Sequence, residues 1–336
     1  MGHDIVRAES GEWYIAVSGK DRARSSVGGA IGFSRVGEDT ELGGRLEADV
    51  QNVWGGGRRI YFLWDALDEN RKLTRFSLRD PHLPGTFLGA ELSWQSTGRE
   101  HYRESSIYTG IDWPLSFSLS ISGGLDFGWV NPDSSGLWSQ HIPKSQSYGL
   151  VASIDWNTLN AASFPDKGQR VLLSTSGSIK TSQAPTDAIP ATSLEDAYSL
   201  NADLHASFVR FMGSVGLSTE LIANGILVTT EDEPPLSDMT YIGGFGSLRG
   251  HTTDFISGER SFVLRTQLPL RLAPTSEIFP FFDIGGVHTD DLDTFTGYGL
   301  GIQTETTIGT LSISYGLSKD RGITEGLLHF GVKSTF

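Results

Sequence analysis

The 336-residue chain contains no cysteine, which excludes a disulfide framework, thiolate metal ligands and a thiol nucleophile. That fits an oxidising compartment whose chemistry the fold does not exploit. No stretch approaches the roughly 18 consecutive apolar residues of a transmembrane helix, and the mean hydropathy is only -0.17. Positive charge is scarce: 26 Lys and Arg against 40 Asp and Glu leave a formal net charge of -14. Binding to phosphate backbones needs a basic footprint, so nucleic acid is excluded as a partner. The opening residues, Met1-Gly2-His3-Asp4, lack the basic-then-apolar pattern of a secretory signal peptide and read as a mature or truncated start.

Catalytic signatures are missing as well. There is no Gly-x-Ser-x-Gly elbow, no Gly-x-x-x-x-Gly-Lys phosphate loop and no His-x-x-x-His pair, so neither an enzyme nor a cofactor or metal is expected. The eight histidines are scattered, and His101, His141, His205, His288 and His329 read as loop or interior residues. Gly297, Gly299 and Gly301 mimic a dinucleotide fingerprint, but Tyr298, Leu300 and Ile302 between them make a strand with a bare face, over which a folded-in loop could come close.

What the chain does have is 41 glycines, 18 phenylalanines, 9 tyrosines and 8 tryptophans, many of them in short alternating segments that favour strands and turns. From Phe117 to Trp129, Phe117, Leu119, Ile121, Leu125, Phe127 and Trp129 share one face, and Ser118, Ser120, Ser122, Gly124, Asp126 and Gly128 the other. Alone, this is also the pattern of a half-buried strand in a soluble sandwich. Repetition decides between the two. Leu311, Ile313, Tyr315 and Leu317 alternate with Ser312, Ser314, Gly316 and Ser318, and Leu328, Phe330, Val332 and Phe336 oppose His329, Gly331, Lys333 and Thr335. A polar face so uniformly small or hydrophilic suits a wet lumen rather than a shared core.

The expected fold is therefore all-β: a closed antiparallel transmembrane β-barrel of sixteen strands. They are placed near residues 25–37, 40–55, 58–69, 70–83, 86–101, 102–115, 117–131, 145–158, 169–182, 196–211, 212–227, 260–272, 277–289, 295–308, 309–319 and 325–336. Residues 37–39, 68–70 and 308–309 make tight turns, whereas 131–144, 183–195 and 228–259 are long and polar, giving short turns at one end and longer loops at the other. The longest is too long for an idle linker. Residues 1–24 form a separate N-terminal segment, in which 12–18 is either a seventeenth strand or the remnant of an upstream periplasmic domain; 25–336 is the barrel.

The most informative stretch closes the longest loop: Tyr241-Ile242-Gly243-Gly244-Phe245-Gly246-Ser247-Leu248-Arg249-Gly250-His251. Its glycines permit tight or left-handed backbone and hold one arginine at a compact tip. About thirty residues later, Phe281, Asp283 and Gly285 of Phe281-Phe282-Asp283-Ile284-Gly285 fall on one face of a strand.

These segments resemble the BamA/TamA family of outer-membrane barrels, whose sixth extracellular loop carries a Gly-Gly and an Arg-Gly-aromatic motif and folds back into the lumen. The resemblance implies a clasp built from Gly243, Gly244, Leu248, Arg249, Gly250, Phe281, Asp283 and Gly285, in which the acid receives the loop arginine; a planar guanidinium can bond a carboxylate bidentately. Phe76-Ser77-Leu78-Arg79-Asp80-Pro81-His82-Leu83-Pro84-Gly85 is similar to the family's strand ending in Arg-acid-Pro. Asp155 through Leu159 with Phe164-Pro165-Asp166-Lys167-Gly168 is similar to one of its hairpins. The end, with His329, Gly331 and terminal Phe336, is similar to the C-terminal recognition signal of such barrels, although Ser334 departs from it.

Two departures bear on the clasp. His251 stands where the family prefers Phe or Tyr. Arg265 stands four residues before Pro269, where the family commonly has a Glu that helps hold the loop arginine; a like charge there weakens the clasp unless another acid intervenes.

The resemblance implies insertion, assembly or secretion of proteins at the outer membrane of a Gram-negative-type bacterium, through a lateral seam between first and last strands. The implied partners are outer-membrane lipids and lipopolysaccharide, client outer-membrane or exported proteins, and periplasmic POTRA or other upstream domains. A second reading is a passive anchor or dimerisation barrel for a soluble domain, such as a lipase, encoded upstream; a simple pore or a receptor shares what remains. The tract Glu231-Asp232-Glu233-Pro234-Pro235 reads as a solvated loop, or as a divalent-cation bridge to lipopolysaccharide.

Overall fold

The computed structural model describes residues 2–7, 13–18, 25–36, 39–68, 71–161, 164–184, 196–229, 234–306, 309–319 and 321–333. The chain opens with β1 (Gly2–Arg7) and β2 (Trp13–Ser18), which pair with each other as a two-stranded sheet outside the barrel sheet. Residues 13–18 are thus not a barrel strand.

The barrel begins with β3 (Ser26–Val36), β4 (Asp39–Val53), β5 (Arg58–Asp68), β6 (Arg71–Asp80), β7 (Gly89–Gly98), β8 (Tyr102–Pro114) and β9 (Leu119–Pro132). After a short helix α1 (Ser134–Trp138) come β10 (Lys144–Asn157), β11 (Lys167–Gln183), β12 (Ala197–Met212) and β13 (Val215–Val228). The long loop contributes its own hairpin, β14 (Thr240–Ile242) paired with β15 (Ile256–Gly258). The wall then resumes with β16 (Arg260–Gln267), β17 (Leu270–Ala273), β18 (Ser276–His288), β19 (Leu292–Thr306), β20 (Gly309–Ser318) and β21 (Leu327–Lys333). The strand pairings among the described residues are antiparallel, and the sheet closes with β21 beside β3.

The sequence places one strand over 260–272, but the structure splits it. Both β16 and β17 lie between β13 and β18 in a single stave, interrupted at Leu268-Pro269, so among the described residues seventeen barrel strands make sixteen staves. Proline brings no N–H to the ladder, which explains the break there.

Alternation sorts the faces as the sequence implies. On β9, Ile121, Leu125 and Phe127 are exposed on the outer face, while Ser122, Asp126 and Gly128 are half-buried on the lumen side. On β20, Ser312, Ser314, Gly316 and Ser318 are buried. Only half of each membrane strand meets lipid, which is why average hydropathy conceals the membrane.

The turn lengths do not segregate as expected. Strand alternation puts the connections after β9, β11 and β13, the three long ones, at one end; the short connections after β3 and β5 lie at that same end, and the turn after β19 lies at the other. Only the long loops are confined to one side.

Candidate functional site

The hairpin β14–β15 returns from the wall into the lumen, and residues 243–255 connect its two strands. Ile242 and Leu248 of this loop are 2% and 0% exposed and pack with Val263 of β16 and Val287 of β18, flanked by Ile256 and Phe295. The loop thus owns a small apolar core shared with the wall. Gly243 and Gly244 take φ of 131° and 82°, in the left-handed region, and Ser247 Oγ staples the turn by accepting from Gly243 N at 2.7 Å and donating to its carbonyl at 3.0 Å.

At the apex, Arg249 is 2% exposed and Asp283 0%. Arg249 Nε donates to Asp283 Oδ2 at 2.8 Å and Nη2 to Oδ1 at 2.7 Å, a bidentate fork; the Arg249 backbone N–H lies 3.3 Å from the same Oδ2. Nη1 donates to Gln267 at 3.2 Å, and the guanidinium sits 3.8 Å from the Phe281 ring centroid. Carboxylate on one edge and aromatic face on the other satisfy a cation withdrawn from bulk water.

Close approach depends on glycines of the last staves. A Cβ on Gly297 of β19 would meet the Arg249 carbonyl oxygen at 1.7 Å, and one on Gly331 of β21 would meet the Phe245 ring at 2.1 Å. Gly250 N donates to Nε2 of His329 on β21 at 2.8 Å. Gly285 lies beneath Ile242 and Leu248. The structure therefore brings Gly243, Gly244, Leu248, Arg249, Gly250, Phe281, Asp283 and Gly285 together, and joins His329 and Gly331 to them. Phe336 and Ser334 lie outside the described residues, as do Glu231, Asp232 and Glu233.

Arg265 does not compete for Asp283. Its Nη1 donates to Glu220 of β13 at 2.6 Å, and Nη2 to the Phe245 carbonyl at 3.3 Å. An acid on the neighbouring stave neutralises the like charge, and the arginine itself grips the loop. Glu220 is shared with His205, whose Nε2 lies at 2.6 Å. His251 fills the aromatic position with its imidazole, 4.6 Å from the Phe255 ring and 6.0 Å from Phe295, with Nε2 3.1 Å from the Thr296 carbonyl.

A second set of anchors, unforeseen from the sequence, ties the base of the loop to other walls. Asp254 accepts from Arg99 at 2.9 Å, and Lys180 reaches Asp238 at 2.5 Å. Arg99 also lies 4.3 Å from the Tyr241 ring. The Tyr241 hydroxyl donates to the Leu236 carbonyl at 2.8 Å and accepts from Tyr102 at 3.2 Å, and burial pushes its pKa up, keeping the donor protonated. Phe279, 3% exposed, and Gln267 share the inward parity of Phe281 and could have been found by that count. Arg99, Lys180 and Tyr102 are separated from the loop by too much chain for any local pattern to show the pairing.

At the other end of the lumen, Arg271 of β17 bonds Asp166 and lies 3.9 Å from the Phe211 ring, drawing in the β10–β11 connection, where Phe164 is 8% exposed with φ of 47°. Phe164 and Pro165 line a cavity of about 290 Å³ together with Phe245, Arg249 and Arg265. The lumen is thus obstructed from both directions.

Residues 22–336 match the family described as an Omp85 superfamily domain. No curated protein sequence matches the chain. Among solved structures it is similar to BamA from Haemophilus ducreyi lacking POTRA domains 1–3, with a TM-score of 0.62 and 15% identity over 98% of this chain and 73% of that one. It is also similar to CdiB from Acinetobacter baumannii (TM-score 0.63, 14% identity) and from Escherichia coli (0.63, 16%), covering 98% of this chain and 64% and 66% of theirs. The chain thus spans about two-thirds to three-quarters of the length of these structures.

Proposed function

The chain belongs to the Omp85 superfamily and is an integral β-barrel of a Gram-negative-type outer membrane, and from that premise we propose that it acts in insertion, assembly or secretion of proteins there. In this reading the seam between β3 and β21 is where a client engages, and the lumen loop controls it. One observation carries the proposal: the buried loop tip is bonded to the last strand, through Gly250 N on His329 and Phe245 over Gly331, as well as to Asp283. Opening the seam would disturb those contacts, and releasing the loop would unload the seam. A merely passive anchor has no need for a loop that touches its closing strand.

The test is reconstitution into liposomes with a urea-unfolded eight-stranded outer-membrane barrel as client, its folding followed by gel mobility without boiling. The reconstituted chain should accelerate folding of the client, and a disulfide across β3 and β21 should abolish the acceleration until reduced. Equal rates with and without the chain, together with loss of membrane attachment of an upstream-encoded domain when the barrel is deleted, would favour the anchor.

A further inference from the structure

One contact between the loop tip and the closing strand depends on the charge state of a ring. Gly250 N donates to Nε2 of His329 at 2.8 Å, so that nitrogen is an acceptor and the imidazole is neutral, with its proton on Nδ1. Both partners are buried, His329 at 8% exposure. Gly316 of β20 makes room for the bond: a Cβ there would meet Gly250 N at 2.6 Å and the His329 ring at 3.3 Å. A second proton turns Nε2 into a donor, sets N–H against N–H and leaves a buried donor unmet.

The surroundings give that proton a route and the ring a second state. His329 lines a cavity of about 530 Å³ shared by the loop, β21 and staves β4 to β6, with Arg45, Asp65, Arg71 and Asp254 around it. Arg45 bonds Glu47 at 2.9 Å and Asp65 at 2.6 Å, and Asp254 lies 2.9 Å from Arg99 and 3.8 Å from Arg71. On the loop side stand Arg249, forked on Asp283, and His251, whose Nε2 meets the Thr296 carbonyl at 3.1 Å. On β21 itself the residues of the same parity are Leu327, Gly331 and Lys333, and their neighbours on β20 are Ser312, Ser314 and Gly316. The lumen-parity positions of β3 in register with Glu47, Arg45 and Gly43 are Gly28, Ala30 and Gly32, so neither adjoining strand brings a charge there. Ser314, in register with His329, is 1% exposed, and its hydroxyl has no hydrogen-bond partner among the described residues. It can accept from a ring that has become a donor on both nitrogens.

We infer that His329 is a proton-operated link between the loop tip and the seam, an inference that rests on the proposed function for its consequence. At neutral pH the acceptor nitrogen ties the tip to β21. In acid the ring is charged, Gly250 loses its acceptor, and the tip lets go of the closing strand while the Arg249 fork still holds the loop in the lumen. The sign follows from the bond, which needs the neutral ring: the link is present above the titration of the ring and lost as pH falls through it. Imidazole is the side chain whose ordinary titration falls between about pH 5 and 8, so no denaturing acid is required.

The experiment follows hydrogen exchange at the Gly250 amide by mass spectrometry, on the full chain in liposomes, from about pH 7.5 to about pH 5 and corrected for the intrinsic pH dependence of exchange. Protection should fall roughly tenfold or more toward acid, the range over which an imidazole gains its charge. His329→Gln, whose side-chain oxygen accepts but does not titrate, should stay protected throughout, and His251→Phe should keep the acid transition. Each variant is first checked for the compact unheated gel form. In the client-folding assay, acid should accelerate the wild-type chain relative to His329→Gln. Exchange reports the link whether or not the chain folds clients, so an intact exchange transition without that acceleration would count against the proposed function and not against the link. Flat protection in the wild-type chain, which needs no variant, or an acid transition that persists in His329→Gln, would overturn the inference.

Discussion

At the scale of single residues, the clasp depends on one fork. Removing either partner of a buried ion pair strands the other charge at a cost of about 3–5 kcal/mol, reduced where lumen water can reach it. Arg249→Ala or Asp283→Ala should therefore free the loop and expose the segment 231–238 to protease while the barrel stays folded, as limited proteolysis followed by an unheated gel would report. Arg265 follows a different logic from the one its sequence position implies. Reading Arg265 as a competitor for Asp283 predicts that Arg265→Glu tightens the clasp. With Glu220 already 2.6 Å away and Asp283 opposite in register, the substitution instead gathers three carboxylates and removes the bond to the Phe245 carbonyl. Protease access should rise in Arg265→Glu and fall back in the exchange Glu220→Arg with Arg265→Glu; a tighter loop in the single variant would contradict the observed pairing.

At the scale of elements, the bare lumen face of the last staves is what admits the loop. Gly297→Val should displace the tip as effectively as loss of the arginine, because its Cβ has no room under the Arg249 carbonyl, whereas Gly177→Ala on β11, which meets nothing within 4 Å, should be silent. Comparing loop proteolysis in the two variants checks this, and an unaffected Gly297→Val would mean that the loop tolerates a shift of more than an ångström. The same contrast shows what was legible in the sequence. Period two identifies every stave, because lipid and lumen impose opposite demands on neighbouring residues, and parity alone puts Phe281, Asp283 and Gly285 on one face. The break at Pro269 was legible too, since proline cannot serve the ladder, but it is easily overlooked inside an alternating run. The anchors of the loop base were not legible: Arg99 and Asp254 are 155 positions apart, and their meeting is set by barrel closure and loop path rather than by local pattern. The resemblance supplied the partner of Arg249; the substitute acid for Arg265 emerged only from the register of β13 against β16.

At the scale of the whole molecule, closure leaves no free sheet edge from which to unravel. The chain extracted in detergent should migrate differently unheated and boiled, and cysteine pairs scanned along β3 and β21, near residues 28 and 332, should crosslink; identical mobility, or a panel that fails while neighbouring hairpins crosslink, would contradict the closed order. An obstructed lumen also makes a poor pore. The most direct measurement is disulfide formation between Leu248→Cys and Gly285→Cys in native membranes, because the Leu248 side chain ends 3.2 Å from where a Gly285 Cβ would stand. With Ser178→Cys and Ser199→Cys as the cross-strand control, their hydroxyls being 2.6 Å apart, the loop pair should crosslink as readily as the control and lose that crosslink when Asp283→Ala is added. A control pair that oxidises while the loop pair stays reduced would place the loop outside the lumen and end the case for the clasp.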